Sequence, residues 1–423
     1  MTSEIKQRIE QIRRGEVPEG YKKGKLGIVP EEWNETSFST LFTSTSEYTD
    51  DLDKYPLYSL TIEDGVTPKT ERYERSHLVK KEDSYKIVRP NDYAYNPMNL
   101  RFGSVARHKG NLPVAVSGYY DIFTTVHKSD LPFMDSFLTC DPMITYYNRV
   151  STGSLVEKQR VHFSQFLEFV LPLPSINERA KIAAILTTQD KVIELKEKQL
   201  AGKQRQKKYL MQQLLTGKKR LPRFSGEWKV NRLRNITARH TKRNTIGNTN
   251  VLTISAQYGL INQAEFFNKA VASDDKSNYF LLEKGDFAYN KSYSNGYPFG
   301  AIKRLTRYEV GIVSPLYICF RIKEGSVSGE YLEQYFEAGL MNHVIQAFAQ
   351  EGARNHGLLN IAVDDFFNSK ILLPSPEEQT AIAEVLSTAD REIELLQQDI
   401  EQEKQKKKAL MQLLLTGIVR VEV

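Results

Sequence analysis

Two short segments of this sequence come closest to a catalytic motif, and neither completes one. Amino-methyltransferases hold the target amine in an Asn/Asp-Pro-Pro-aromatic tetrad beside a glycine-rich cofactor loop; residues 141–144 read Asp-Pro-Met-Ile and lack the second proline and the aromatic residue. Glu194 and Lys196 have the Glu-x-Lys spacing of some nucleases, but no aspartate accompanies them. No G-x-x-x-x-G-K-S/T loop is present to hold nucleoside triphosphate. We therefore expect a chain with no catalytic residues of its own.

Metal chemistry is equally unsupported by the spacing of possible ligands. The seven histidines are scattered, and the two cysteines, Cys140 and Cys319, lie in different halves of the chain without metal or disulfide spacing. We expect no metal site, no cofactor bound by this chain and a reducing, cytoplasmic location. The chain has no run of 18 apolar residues and no signal peptide at its start, so we expect no membrane segment.

Composition indicates an ordinary globular protein with two cores. The chain has 423 residues, of which 40% are hydrophobic and 26% are charged, which is enough for two sizeable domains. The formal net charge of +6 is mildly basic. Such a charge permits binding to nucleic acid without requiring it.

A long internal repeat determines the architecture. The segment that begins Leu-Pro-Ser at 173 and ends Leu-Leu-Thr-Gly at 217 recurs about 200 residues later without a gap, and a little under half of its positions are identical. A repeat of this length predicts a duplicated unit of one domain and one helix. Three further pairs of matching segments, 32–33 with 227–228, 92–96 with 286–290 and 116–123 with 313–320, extend the repeat into the regions between the helices.

Each repeated segment predicts one helix of about 40 residues, or about 60 Å at the rise of an α-helix. Ser175 with Glu178, and Ser375 with Glu378, fit a capping box, in which the serine oxygen and the glutamate carboxylate both bind free backbone N–H groups. A glycine after each segment is typical of a helix end in the left-handed conformation. Residues 1–20 resemble the last part of a third, truncated copy.

The apolar positions of both helices follow a heptad pattern that polar residues interrupt. In the second helix Glu403 and Lys407 fall in this seam; in the first helix Gln189, Lys196, Lys203 and Lys207 do so. The simplest arrangement is an intramolecular antiparallel pair of coiled-coil-like helices with one face left for a partner. Two independent surface helices are the alternative.

The regions between the helices predict an α+β fold with mainly antiparallel strands. Short β-branched and aromatic runs such as 85–88 and 317–322 alternate with turn residues, and 330–349 has a helical pattern. We therefore expect two mixed domains of the same fold. The predicted organisation is an N-terminal helical segment 1–20, a first domain 21–170, a central helical region 171–220, a second domain 221–370 and a C-terminal helical region 371–423.

The ordered set of paired motifs resembles one known family. The Leu-Pro-Ser-x-x-Glu start and Leu-Met-Gln-x-Leu-Leu-Thr-Gly end of each helix, with the Glu-Trp entry to each domain, are similar to the specificity subunits of type I restriction-modification systems, over essentially the whole chain. The resemblance implies that each domain is a target-recognition domain for one half of a bipartite DNA sequence. It implies that the helices act as a spacer and as a dock for two methyltransferase subunits.

The same resemblance implies partners that carry the chemistry. Motor-nuclease subunits would join the complex for restriction, and S-adenosylmethionine, ATP and magnesium would bind to the partner subunits. Two alternatives stay open at this point: a duplicated protein-interaction scaffold without a role on DNA, and the recognition half of a split or fused methyltransferase-nuclease.

Loop side chains with amide, guanidinium, ammonium or aromatic hydroxyl groups are the candidates for reading base edges. The candidate DNA-binding residues are Asn96, Asn99, Arg101, Arg107, His108 and Lys109 in the first domain, and Asn290, Lys291, Tyr293, Asn295, Arg354, Asn355 and His356 in the second. Asn96 and Asn290 occupy matching positions, which favours a shared structural role such as capping a turn. The candidate phosphate contacts are Lys218, Lys219, Arg220, Arg239, Lys242 and Arg243.

Overall fold

A computed structural model describes residues 3–69, 85–155, 159–255, 258–267, 276–293, 296–351 and 359–422 of the chain. These residues form helices and antiparallel strands, as expected of the α+β class, in two compact units. Unit 1 comprises Met1–Glu197 and Asp399–Val423, and unit 2 comprises Lys198–Gln398. Because both boundaries fall inside a long helix, each unit contains a part of each long helix.

Unit 1 contains a short N-terminal helix and a mixed domain before the first long helix. Its elements in chain order are α1 (Ser3–Arg13), β1 (Tyr21–Gly24), β2 (Gly27–Pro30), β3 (Asn34–Ser37), α2 (Phe38–Leu41), β4 (Phe42–Ser44), β5 (Tyr48–Thr49), β6 (Tyr58–Thr61), β7 (Gly65–Pro68), β8 (Tyr85–Val88), β9 (Tyr93–Tyr95), β10 (Val105–Arg107), β11 (Val114–Ser117), β12 (Asp121–Thr125), α3 (Leu131–Phe137), α4 (Asp141–Val150), α5 (Phe163–Leu167) and β13 (Val170–Leu173). The first long helix, α6 (Ile176–Leu214), follows.

Unit 2 contains a second mixed domain followed by the second long helix. Its elements are β14 (Lys229–Arg232), α7 (Leu233–Ile236), β15 (Thr237–Arg239), β16 (Leu252–Ser255), β17 (Gly259–Asn262), α8 (Gln263–Phe267), β18 (Phe280–Glu283), β19 (Phe287–Asn290), β20 (Ala301–Arg304), β21 (Val310–Val313), β22 (Ile318–Ile322), α9 (Gly329–Glu337), α10 (Asn342–Gln346), β23 (Gln350–Glu351), β24 (Leu359–Asn360), α11 (Val363–Asn368), β25 (Lys370–Leu373) and α12 (Pro376–Leu415). The helical pattern of 330–349 is thus divided between α9 and α10.

The two domains have the same sheet topology, which confirms the predicted duplication. The main sheet of unit 1 has the strand order β4-β12-β9-β10, and that of unit 2 has the equivalent order β15-β22-β19-β20. In both sheets a directly opposed aromatic pair stacks in the core: Tyr93 on Phe123 and Phe287 on Phe320, each with ring centroids 5.2 Å apart. Such pairs stabilise antiparallel sheets at matching positions.

A two-stranded antiparallel ribbon leads into each long helix. In unit 1 it consists of β3 and β13, and in unit 2 of β14 and β25. The domain boundaries predicted at 170/171 and 370/371 therefore fall inside strands β13 and β25. Both mixed domains therefore extend to the end of these strands, because the strands complete the ribbons.

The serine caps and the left-handed glycines at the ends of both long helices form as the sequence predicts. Ser175 Oγ accepts a hydrogen bond from the Glu178 backbone N–H at 3.3 Å, and Ser375 Oγ accepts one from Glu378 at 3.4 Å. Gly217 ends α6 with a φ of 69°. The same left-handed conformation recurs after α12 and after α1, since Gly417 and Gly15 have φ of 71° and 77°. Three copies of one helix end are therefore present in the chain.

The predicted seam is the packed face of each long helix, and the two helices pack antiparallel. In unit 1 the first part of α6 packs against the last part of α12, and in unit 2 the last part of α6 packs against the first part of α12. Their buried seam residues are Leu186, Ile193, Leu214, Leu386, Ile400 and Leu414. The cores of the two domains continue onto these helices, since Ile182 and Leu414 join the core of unit 1 and Leu214 and Ile382 join that of unit 2.

The polar residues of the seam pair with one another across the two helices. In unit 1 Lys196 Nζ lies 3.0 Å from a Glu403 carboxylate oxygen and 2.8 Å from Asp399, and the Gln189 side chain donates to Glu403 at 2.6 Å. Lys407 lies 2.5 Å from Asp190. In the antiparallel arrangement each of these polar groups meets a complementary partner, so they favour its register.

The lysines of the seam in unit 2 are paired in the same way. Lys203 Nζ lies 2.7 Å from Glu392, and Lys207 pairs with Asp390. Lys207 with Asp390 matches Lys407 with Asp190, a repeat of one ion pair in both units. Lys203 and Lys207 therefore contribute to the association of the two helices.

A buried carboxylate connects three distant segments of unit 1. Glu178, which is 2% exposed, accepts hydrogen bonds from the Trp33 indole N–H at 3.3 Å and from both Nε and Nη2 of Arg420 at 2.6 and 3.0 Å. Trp33 lies before β3, and Arg420 follows the end of α12. The expected reciprocal capping box is therefore only half formed, because the Glu178 carboxylate binds these two side chains.

Unit 2 builds the same carboxylate cluster from matching residues. Glu378 accepts from the Trp228 indole at 3.3 Å and from Nε and Nη2 of Arg220, each at 2.6 Å. Since a buried carboxylate is costly unless it is paired and hydrogen-bonded, this cluster holds the helix start, the preceding helix end and the domain entry together.

Replacing Glu178 by alanine should destabilise unit 1 by about 2 kcal/mol, because the Trp33 and Arg420 donors lose the carboxylate that accepts from them. The cost is lower than for a fully buried ion pair, because Arg420 is partly exposed. Urea unfolding of the full chain would measure this, with the exposed neighbour Asn177→Ala as the control. Equal unfolding midpoints for the two variants would show that the cluster contributes no stability.

A second prediction concerns the stability of the folded chain at low pH. Hydrogen bonds from Gln189 and then Lys196 lower the pKa of Glu403 to about 2. A lowered pKa stabilises the folded state above the ordinary glutamate pKa near 4.5, and this contribution is lost as pH falls towards 2. Glu403→Gln should therefore be less stable than the native chain at neutral pH, and the difference should narrow on acidification.

Urea midpoints followed by helical circular dichroism, at neutral pH and at stepwise lower pH, would measure that narrowing. Glu401→Gln is the matched control, because Glu401 is exposed on the same helix. A difference between native chain and Glu403→Gln that stays constant with pH would contradict the role assigned to the Glu403 carboxylate.

Candidate nucleic-acid interface

The turn after the central strand of each main sheet has the same side-chain cap. Asn96 Oδ1 accepts from the Met98 backbone N–H at 3.1 Å, and Asn290 Oδ1 accepts from Ser292 at 3.1 Å. Both are turns in which an asparagine side chain replaces a backbone acceptor. The structural role predicted for this matched pair is confirmed, because each amide oxygen binds a backbone N–H of its own turn.

A polar and aromatic group lies on the surface next to this turn in unit 1. Arg101, in a short 3₁₀ turn, donates from Nη1 to the Gln159 side chain at 3.2 Å and lies over the exposed Phe102 ring, with its guanidinium carbon 4.6 Å from the centroid. Arg160 Nη1 lies 3.5 Å from the Tyr119 hydroxyl. We call Arg101, Phe102, Tyr119, Gln159 and Arg160 the unit 1 surface group.

A hydrogen bond between backbone groups brings the distant segments of the unit 1 surface group together. The Val161 N–H donates to the Pro97 carbonyl at 3.1 Å, which brings Gln159 and Arg160 beside the turn. Sequence reasoning identified Arg101 and the nearby exposed Asn99, and missed the other four members. Only their contacts in the folded chain indicate them, since no local pattern marks 159–160 or Tyr119.

Arg107 is held inside the domain. Its guanidinium binds both oxygens of Asp135, with Nη2 to Oδ2 at 2.7 Å, and donates to Asn91 Oδ1 at 2.6 Å. The Tyr93 hydroxyl donates to the same Asp135 carboxylate at 2.8 Å, and burial raises the pKa of Tyr93. These groups border a cleft of about 270 Å³, where the exposed Lys109 lies 3.6 Å from Asp135.

His108 is also directed inwards. Its ring is buried, and Nε2 lies 2.8 Å from the Leu112 carbonyl. Asn96, Arg107 and His108 therefore have internal partners, and Asn99, Arg101 and Lys109 remain as predicted contacts of the first domain.

The candidates of unit 2 divide between described and undescribed positions. Tyr293 is exposed, and Lys291 is partly buried and accepts through its carbonyl from the Leu359 N–H at 3.1 Å. The remaining candidates of this domain, Asn295, Arg354, Asn355 and His356, lie outside the described residues. The exposed side chains that follow the matched turns thus differ between the two units.

The candidate phosphate contacts divide into exposed side chains and one side chain that is bound to a buried carboxylate. Lys218, Lys219 and Arg239 are exposed, and Lys219 Nζ lies 5.4 Å from the centroid of the Tyr209 ring. Arg220 is bound to Glu378 in the carboxylate cluster and is not free to bind phosphate. Lys242 lies 3.5 Å from Glu283, and Arg243 pairs with Asn278; both are exposed and remain predictions.

The described residues contain no group of three or more His, Cys, Asp or Glu side chains placed to bind a metal. Both cysteines are buried, and burial raises the pKa of each thiol to about 12, so neither is a reactive thiolate. Within the described part of the chain, no helix combines the length and the apolar character needed to cross a bilayer.

Comparison with known proteins was made by sequence and by structure. No family model matches the chain. The chain is 23% identical to the putative type I restriction enzyme MjaX specificity subunit of Methanocaldococcus jannaschii over 443 aligned residues, which cover 96% of this chain and 97% of the relative. It is 27% identical to the MjaVIII specificity subunit of the same organism over 281 residues, covering 61% and 64% of the two chains.

The relatives of this chain are type I specificity subunits. The resemblance inferred from the motifs is thereby confirmed. Two solved structures show the shared fold: the S subunit from M. genitalium, at a TM-score of 0.52 and 11% identity over 95% of this chain and 100% of that one, and a chain from a structure of type I complex assembly and conformational transition, at a TM-score of 0.52 and 12% identity over 92% and 99%.

The unit 1 surface group generates a prediction for DNA binding. Replacing Arg101 or Arg160 by alanine should weaken binding to a cognate duplex by about 1–3 kcal/mol, roughly 5- to 150-fold, if the guanidinium contacts a base edge. The loss should be smaller on a duplex that lacks the cognate half-site. Titration of labelled duplexes at fixed salt would measure both, with the exposed Lys128→Ala as a control. Equal losses on both duplexes would indicate phosphate contact in place of base reading.

Proposed function

We propose that this chain is the DNA sequence-recognition subunit of a type I restriction-modification complex, in which each unit reads one half of a bipartite target. The observation that carries the proposal is the duplication of one domain fold, with equal strand order and different exposed side chains, in a relative of the type I specificity subunits. Two similar folds with different contact residues are suited to two unlike half-sites.

The partners proposed for this chain are double-stranded DNA, two methyltransferase subunits and the motor-nuclease subunits that join for restriction. The long helices are the proposed dock for the methyltransferase subunits, because their repeated sequences give two similar surfaces outside the packed seam. S-adenosylmethionine, ATP and magnesium would be held by those partners. The role of this chain is to bind and position DNA, and no step of methylation or cleavage is assigned to its residues.

The direct test is to exchange the second recognition domain. Residues 221–374 of this chain would be replaced by the matching segment of a relative, with the junction after β25 so that the ribbon with β14 stays intact. The exchanged chain, together with the methyltransferase subunit, should methylate a sequence with one new half and one unchanged half. Methylation mapping of host DNA would give both sequences. A change in both halves would contradict the assignment of one half-site to each unit.

A gel-shift experiment separates this function from a scaffold without a role on DNA. The native chain and the exchanged chain, each with the methyltransferase subunit, are mixed with a duplex containing the mapped site and with one of random sequence. Retention of the mapped duplex at salt concentrations that release the random duplex supports recognition. If neither protein retains any duplex, the scaffold interpretation stands.

A further inference from the structure

The ribbons that lead into the two long helices have different outer faces. In unit 1 the opposed pair is Glu35 in β3 and Pro172 in β13; in unit 2 the equivalent pair is Val230 in β14 and Leu372 in β25. A charged residue in one copy thus corresponds to an exposed aliphatic residue in the other.

In unit 1 a hairpin of the same chain covers the ribbon. Strands β1 and β2 form this hairpin; Lys25 Nζ at its tip donates to the Val170 carbonyl at 2.9 Å, and Arg149 donates to the Lys25 carbonyl at 2.6 Å. Gly24 lies against Pro172, since a Cβ at this glycine would come 3.5 Å from the Pro172 ring. Pro172 is buried as a result.

Unit 2 has too short a connection to form such a hairpin. Gly15 and Trp33 are 18 positions apart in unit 1, whereas the equivalent Gly217 and Trp228 are 11 apart. Val230 is 65% exposed and Leu372 is 40% exposed. The ribbon borders an open cleft of about 370 Å³, whose other lining residues include Leu215, Tyr335 and Leu340.

The exposed apolar pair is surrounded by positive charge. Lys370 and Arg232 are opposed two positions further along the ribbon and therefore lie on the same face as Val230 and Leu372, and Lys229 directly precedes Val230. A contiguous apolar surface with a charged rim is typical of a protein interface. The rim favours an occupant with carboxylates on either side of its apolar residues.

We propose that the face formed by Val230, Leu372, Lys370, Arg232 and the adjoining cleft binds a short apolar segment, flanked by acidic side chains, of a methyltransferase subunit. The hairpin of unit 1 shows the size of segment that this ribbon accommodates. The proposal deepens the proposed function and rests on it for the identity of the partner. Unit 2 thereby has an exposed binding face, whereas the β1–β2 hairpin covers the equivalent face in unit 1.

The test uses Val230→Glu with Leu372→Gln in the full chain. Glutamate is the residue that unit 1 carries at the position of Val230, so the ribbon should fold normally, and unchanged circular dichroism would check this. The variant should bind the purified methyltransferase subunit about tenfold more weakly, a change of about 1.4 kcal/mol, in sedimentation or calorimetric titration. Glu35→Gln in unit 1 is the matched control and should bind as the native chain does.

A charge reversal in the rim, Lys370→Glu with Arg232→Glu, provides a second variant and should also weaken association, with a loss that shrinks at high salt. Unchanged association for both variants would overturn the proposal. Normal association with reduced duplex binding would also overturn it, because the face would then contact DNA. A dimer of the native chain that the variants abolish would overturn it as well, because the face would then bind a second copy. If the native complex retains no duplex but the variants still lose the methyltransferase subunit, the proposed function fails and the docking face stands.

Discussion

The fold depends on a carboxylate that is buried at the start of each long helix. Glu178 and Glu378 are 2% and 1% exposed, and each is neutralised by an arginine from beyond a helix end and bonded by a tryptophan from a domain entry. Burying such a charge without partners is unfavourable by several kcal/mol, so each carboxylate favours the folded arrangement in which the three segments meet. The same requirement places the ribbon at the helix start and thereby orients each recognition domain on its part of the helix pair.

Between these clusters, charge determines how the helices associate. An uninterrupted apolar seam would permit several registers and both orientations of the helices. A seam in which each lysine meets an acidic residue of the other helix permits few such arrangements. Exposed ion pairs contribute little stability individually, and their main effect here is on specificity. The repetition of Lys207 with Asp390 as Lys407 with Asp190 shows that the duplicated segments kept this specification while most other positions diverged.

Features that depend on neighbouring residues could be predicted from the sequence, and features that depend on distant ones could not. The helix limits, the left-handed glycines, the seam and the asparagine turns all follow from local patterns. The carboxylate cluster escaped prediction because Trp33 and Arg420 are far from Glu178 in sequence, and the capping box offered Glu178 a sufficient local role. Arg107 and His108 were suitable candidates by residue type, and only the fold shows that they face inwards. The unit 1 surface group could not be predicted for the same reason, because Gln159 is distant in sequence from Arg101 and only the fold brings the two side chains together.

The division of the chain between the units has a consequence for biosynthesis. Unit 2 is contiguous, so all of its residues have left the ribosome once position 398 has emerged. Unit 1 includes Asp399–Val423, and the partner of Glu178 is Arg420, so its first 197 residues must wait for the last part of the chain. Domains usually fold in the order of translation, beginning at the N-terminus. Here the residues of the later half are complete first, and the earlier half gains its last contacts only when the C-terminal segment has been made.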